Sequence, residues 1–156
     1  MTSSKNISSR YFKSDRNAPE PVIARTQHRV QFGEVDLMGI AWHGRYATLF
    51  EEAATEVRRQ AGLSYEALYR AGLRAPIVRL QIDYARPVLL DEVVTTEARL
   101  IWNEAARLDI EYVVTRPSGE QAATGCTVQL FTDAATGELL IASPPLLREC
   151  RDHEFM

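Results

Sequence analysis

The chain has 156 residues, 46% hydrophobic and 25% charged, which suits one globular domain with a core of its own. A formal net charge of −3 gives no basic field to recruit nucleic acid, and no apolar run approaches the roughly 20 residues that span a bilayer. Residues 1–21, MTSSKNISSRYFKSDRNAPEP, lack the apolar stretch of a signal peptide, so a cytoplasmic protein without a membrane partner is expected.

Residues 1–22 are rich in Ser, Lys, Arg and Asn and close on Pro19-Glu20-Pro21. Such a stretch buries too little apolar surface to offset its ordering entropy, so it reads as a flexible tail, free to dock on a neighbouring subunit. One domain is expected over residues 23–150, with 151–156 as a polar C-terminal tail. Val30 and Phe32 alternate with polar neighbours as a first strand does. A loop with the carboxylate Asp36 then turns at Gly39 and runs through Trp42-His43-Gly44 into a long helix.

The helix carries Tyr46, Leu49, Phe50, Ala53, Ala54, Val57 and Ala61 on one stripe of helical period. Thr48, Thr55, Arg58 and Arg59 are read as lying away from it. Gly62 is a C-terminal stop, and Arg58 and Arg59 suit the negative end of the helix dipole. Ser64 is read as the N-cap of a short helix over residues 65–70, ended by Gly72. After Pro76 the pattern is β: a strand over 77–84, another over 93–102, and Leu108, Ile110, Tyr112 and Val114 alternating in a third. Pro117-Ser118-Gly119 makes a turn. A fourth strand over 122–132 has Thr124, Cys126, Val128 and Leu130 on one side, and a short strand is predicted over 139–142. The two cysteines are too few for a disulfide framework. Cys126 reads as a small buried hydrophobe and Cys150, near the tail, as exposed. One strand, one long helix and a run of strands turning back on each other predict an α+β fold, a mainly antiparallel sheet wrapped around one helix.

An acid beside a helix N-terminus faces backbone N–H groups without intrahelical partners. The donors hold a developing oxyanion while the carboxylate attacks or activates water, an arrangement suited to acyl transfer. The residues Phe32, Glu34, Asp36, Gly39, Ile40, Ala41, Trp42, His43 and Tyr46, then Phe50-Glu51, Ala53, Glu56 and Gly62-Leu63, then Ile82-Asp83-Tyr84, Arg86-Pro87 and Asp91-Glu92, resemble the 4-hydroxybenzoyl-CoA thioesterase family of hotdog-fold acyl-CoA thioesterases. The resemblance covers about residues 27–132. It implies a hotdog fold, an acyl-CoA substrate, sites at the interface of a homodimer or homotetramer, Asp36 as the catalytic carboxylate and the His43 N–H as an oxyanion donor. Three positions depart from the pattern: Glu34 stands for the commoner Asp, Ala54 for Arg, and Gly44-Arg45 for a small or Asn-containing pair.

Taken without the motif, Asp36 is an ordinary turn aspartate. The His43 imidazole can be a general base or a mere lining group, and relatives with Tyr there favour the backbone role. Glu51 and Glu52 are alternative acids, because another hotdog branch keeps its carboxylate on this helix. Substrate contacts are expected from Met38, Gly39, Trp42, Tyr46 and Arg79. Met38, Leu37 and Trp42 suit an acyl pocket or plain packing alike, and Arg79, Arg86 and Arg99 are candidates for CoA phosphates. The three histidines His28, His43 and His153 form no ligand cluster in the sequence, so no metal is expected. Gly-x-Ser-x-Gly, the phosphate-binding loop and the dinucleotide fingerprint are absent, so no cofactor is expected either. Two rivals remain: a non-catalytic acyl-thioester binding or regulatory protein, and a hotdog dehydratase or hydratase. The acyl group, and CoA against acyl-carrier protein, stay open.

Overall fold

The computed structural model describes residues 10–13 and 15–153. Five strands form one antiparallel sheet: β1 (Val22–Arg29), β3 (Ile77–Tyr84), β4 (Val93–Ile101), β5 (Arg107–Thr115) and β6 (Gln121–Leu130). Their order across the sheet is β1-β4-β5-β6-β3, which leaves β1 and β3 at the edges. The long helix α1 (Tyr46–Gln60) lies against one face. A short helix α2 (Tyr65–Arg70) and a two-stranded ribbon of β2 (Leu73–Arg74) with β7 (Thr132–Asp133) sit beside it, and α3 (Pro145–His153) closes the C-terminal side. This is the hotdog layout: a sheet wrapped around one helix.

The helical stripe becomes the core as expected, with Tyr46, Leu49, Phe50, Ala53, Ala54 and Val57 buried against Leu100, Ile110, Tyr112, Val114 and Ala123. Helix α1 ends where Gly62 takes φ +82, a left-handed conformation that glycine adopts without steric cost. The Leu63 N–H donates to Arg58 O at 2.8 Å and the Gly62 N–H to Arg59 O at 3.2 Å, the paired bonds of a Schellman stop. Ser64 caps α2 as predicted, its Oγ accepting the Ala67 N–H.

Gly125 fixes how closely α1 approaches. The Phe50 ring stacks on Tyr112 at 4.3 Å, and a Cβ on Gly125 would stand 2.5 Å from the Phe50 ring and 2.2 Å from Gln81 O on the neighbouring strand. Gly125→Ala is therefore expected to destabilise the fold by about 2 kcal/mol or more, the cost of overpacking against backbone that cannot move alone. Urea unfolding of the two proteins checks it.

Four expectations are corrected. The first strand is Val22–Arg29 and not the stretch around Val30 and Phe32. The Glu34 carboxylate accepts the Gln31 N–H at 2.9 Å and curls Phe32–Glu34 into a 3-10 turn, so Phe32 points outward. Arg58 is not on an outer face but 1% exposed. Its charge is met by Glu51 Oε1 at 3.0 Å and Gln129 Oε1 at 3.2 Å, and it lies 4.4 Å from the Tyr65 ring centroid. Residues 139–142 form no strand; Leu139 makes one isolated bridge to Thr132. Residues 151–153 are not tail but the last turn of α3, which restarts the chain at Pro145 and buries Leu147.

Cys126 is buried and Cys150 half-buried, its Sγ 3.6 Å from Gly62 O. In the stretch read as a tail, the Tyr11 hydroxyl donates to Asp83 Oδ2 at 2.6 Å and the Tyr11 N–H to Glu111 Oε1 at 2.8 Å, on the sheet face away from α1. Residues 1–9, 14 and 154–156 lie outside the described residues. None of the described helices is long and apolar enough to cross a membrane.

Candidate active site

The loop after β1 returns to the helix in a compact hook. The Asp36 N–H donates to Ile40 O at 2.9 Å and the Gly39 N–H to Asp36 O at 3.0 Å. Gly39 makes this turn with φ +74, which disfavours any residue with a Cβ. The Met38 N–H donates to Asp36 Oδ1 at 2.8 Å, fixing the carboxylate by its own turn. The hook is held from outside by the Ala41 N–H on Val88 O and the Leu90 N–H on Gly39 O.

After Trp42 the chain enters a 3-10 turn, His43–Arg45, that runs directly into α1. The Arg45 N–H closes it on Trp42 O. No acceptor among the described residues takes the His43 or Gly44 N–H, so both donors are free at the positive end of the helix. The turn is anchored by the Tyr84 hydroxyl, which donates to His43 O at 2.8 Å, while Tyr84 packs edge-on against Tyr46. Burial pushes both phenols up, so at neutral pH they are hydroxyl donors. Gly44 lies under the Trp42 indole, where a Cβ would come within 2.3 Å of the ring.

These pieces surround one cavity of about 460 Å³, lined by Asp36, Met38, Ile40, Ala41, His43 and Tyr46 on the loop and helix side and by Tyr84, Ala85, Arg86 and Pro87 on the other. Of the residues predicted from sequence, Asp36, His43, Met38 and Tyr46 meet here. Gly39 and Trp42 shape the loop without lining the cavity. Arg79 does not belong to the lining; its guanidinium bonds to Gln81 Oε1. Arg99 is paired with Glu97, whereas Arg86 lines the cavity with Glu120 beside it at 2.7 Å. Glu51 and Glu52 lie farther along α1 and do not line it either. Glu51 is tied to Arg58 and accepts from the Tyr65 hydroxyl at 3.2 Å. Leu37 stands fully exposed at the tip of the hook. Tyr84, Ala85 and Pro87 also line the cavity, which their residue types alone do not announce. Their motif, Ile82-Asp83-Tyr84 then Arg86-Pro87, was visible, but the pairing that folds it over the helix entrance was not. Among the described residues no group of His, Cys, Asp and Glu could hold a metal ion.

The family model of the thioesterase-like superfamily matches residues 30–149. The chain belongs to that superfamily. Among curated relatives, it is 30% identical to the Synechocystis protein named "Putative esterase sll0410" over 78% of this chain and 74% of that one. Among solved structures it superposes on the DHNA-CoA thioesterase of Staphylococcus aureus with a TM-score of 0.69 and 26% identity, covering 76% of this chain and 80% of that one. A hypothetical protein of Thermus thermophilus gives a TM-score of 0.73 at 27% identity over 83% and 98% of the two chains. These two solved structures share the fold described above.

Proposed function

We propose that this superfamily member is an acyl-CoA thioesterase, hydrolysing a thioester to a carboxylic acid and free CoA, with Asp36 as the reacting carboxylate. The observation that carries this reading is one cavity lined by both Asp36 and His43, the latter at the helix entrance with its N–H free. In one route the carboxylate attacks the thioester carbonyl, the His43 N–H holds the oxyanion, and CoA leaves as thiolate; water then opens the resulting anhydride. In the other, Asp36 takes a proton from water, hydroxide adds to the carbonyl, and the proton follows the departing sulfur. Both routes need the same two groups. The DHNA-CoA thioesterase activity named for the Staphylococcus aureus neighbour and the Tyr46 and Tyr84 side chains lining the cavity support an aromatic acyl group. Arg86, at the rim, is the arginine best located for CoA phosphates.

Tyr84 of the cavity lining belongs to β3, an edge strand with Ile77, Val78 and Leu80 exposed. An apolar edge of this kind favours pairing with a second copy, more than β1 with its Arg25, Gln27 and Arg29. A homodimer is therefore expected, and light scattering across a dilution series tests it: an active monomer would contradict it. The activity itself is tested by free-thiol release from acyl-CoAs graded in length and aromaticity, with acyl-carrier-protein thioesters alongside. Release from at least one acyl-CoA is the expected result. Binding without turnover of any thioester would support the regulatory alternative instead.

A further inference from the structure

We propose that Glu34 is a positioning residue that sets the separation between the Asp36 carboxylate and the His43 N–H by gripping Arg45, an inference that rests on the thioesterase reading. Asp36 and His43 lie on the hook between Glu34 and Arg45, and both ends of that hook converge on Glu34. Its backbone oxygen accepts the Trp42 N–H at 2.8 Å, one residue before the oxyanion donor. Its side chain, 9% exposed, accepts from Arg45 Nε at 3.1 Å and Nη2 at 3.0 Å, one residue before α1 begins. The same carboxylate bonds His28 Nε2 at 2.8 Å, near the end of β1, and the Gln31 N–H at 2.9 Å. One buried acid thus ties the sheet, the start of the hook and the helix entrance together.

A buried carboxylate is costly unless its oxygens are met. Here burial pushes Glu34 up, but the Gln31 N–H, His28 and Arg45 outweigh it and hold the group below the usual carboxylate range. It stays charged, so its grip on Arg45 is charge-assisted, with Nε and Nη2 of one guanidinium both meeting Oε2. The cavity lining does not include Glu34, so its effect on the reaction must pass through the hook it closes. A displacement of about 1 Å between reacting groups can cost on the order of 10²-fold in rate, which makes such a clamp kinetically visible.

The test is a double-mutant cycle on the full chain with Glu34→Gln, Arg45→Gln and the pair, measured on the best acyl-CoA and by hydrogen exchange of segment 35–45. Each single variant should lower kcat about 10-fold or more with KM little changed, and the pair should be no worse than the worse single, because both remove one grip. Glu34→Asp, shorter by one methylene, should recover part of kcat. Exchange should quicken within 35–45 and not in β4 or β5. Arg45→Gln leaves the His28 and Gln31 bonds in place, so it reports on the grip if Glu34→Gln fails to fold. Additive losses, or a lower melting temperature with kcat unchanged, would overturn the proposal. If the wild-type chain turns over no thioester, the thioesterase reading falls; hydrogen exchange then still decides whether the clamp exists, and unchanged exchange in 35–45 would overturn it as well.

Discussion

Asp36→Asn is expected to lower kcat for thioester hydrolysis by about 10²-fold or more while the fold is kept, because it removes the carboxylate and keeps its shape. The structure explains why the fold should survive. Asp36 is half-buried in a hook whose bonds are mostly backbone to backbone, and its one bonded side-chain oxygen accepts the Met38 N–H, which the Asn amide oxygen can also accept. The substitution therefore removes charge at the cavity wall and little else. Near-wild-type kcat with an unchanged circular dichroism spectrum would remove Asp36 from the reaction.

The second large effect is expected at His43, and there the backbone matters more than the ring. His43→Pro deletes the free N–H at the helix entrance and should lower kcat by about 10²–10³-fold, far more than it changes KM. The position tolerates proline geometrically. Trp42 before it has φ −61 and ψ 137, the extended region that a following proline requires, and His43 opens its 3-10 turn, where no intrahelical bond is lost. The anchoring bond from Tyr84 goes to His43 O, which proline retains. His43→Tyr keeps the N–H and should retain substantial activity. A folded but inactive His43→Tyr would make the imidazole a catalytic group and the backbone reading wrong.

Much of this arrangement was legible because it is local. The stripe from Tyr46 to Ala61, the stop at Gly62 and the cap at Ser64 follow from spacing and residue type alone, and all three stand in the structure. The hook was legible from Asp36, Gly39 and the Trp42-His43-Gly44 entry to a helix. What escaped depends on partners distant in sequence. Phe32 continues a strand pattern, but Glu34, bonded across to His28 and Arg45, turns the chain first. Arg58 sits at the margin of the apolar stripe, and only Gln129, Glu51 and Tyr65 closing over it make burial affordable. Tyr84 reads as a strand residue; the register of β3 on β6 is what brings its hydroxyl to His43 O. Arg79 and Arg86, two candidates of one type, were separated only by their places relative to the end of β3.

On the proposed reading the acid on the loop, and neither acid on the helix, carries the reaction. Thiol release from one good acyl-CoA, measured in parallel for wild type, Asp36→Asn, Glu51→Gln and Glu52→Gln, tests it most directly. Asp36→Asn alone should lose about 10²-fold or more in kcat/KM. Glu52→Gln should match wild type, since that side chain is exposed and away from the cavity, and Glu51→Gln should fall chiefly in stability, since it leaves Arg58 buried beside a neutral partner. Loss of turnover in a folded Glu51→Gln or Glu52→Gln, with Asp36→Asn still active, would contradict the account and move the catalytic acid to α1.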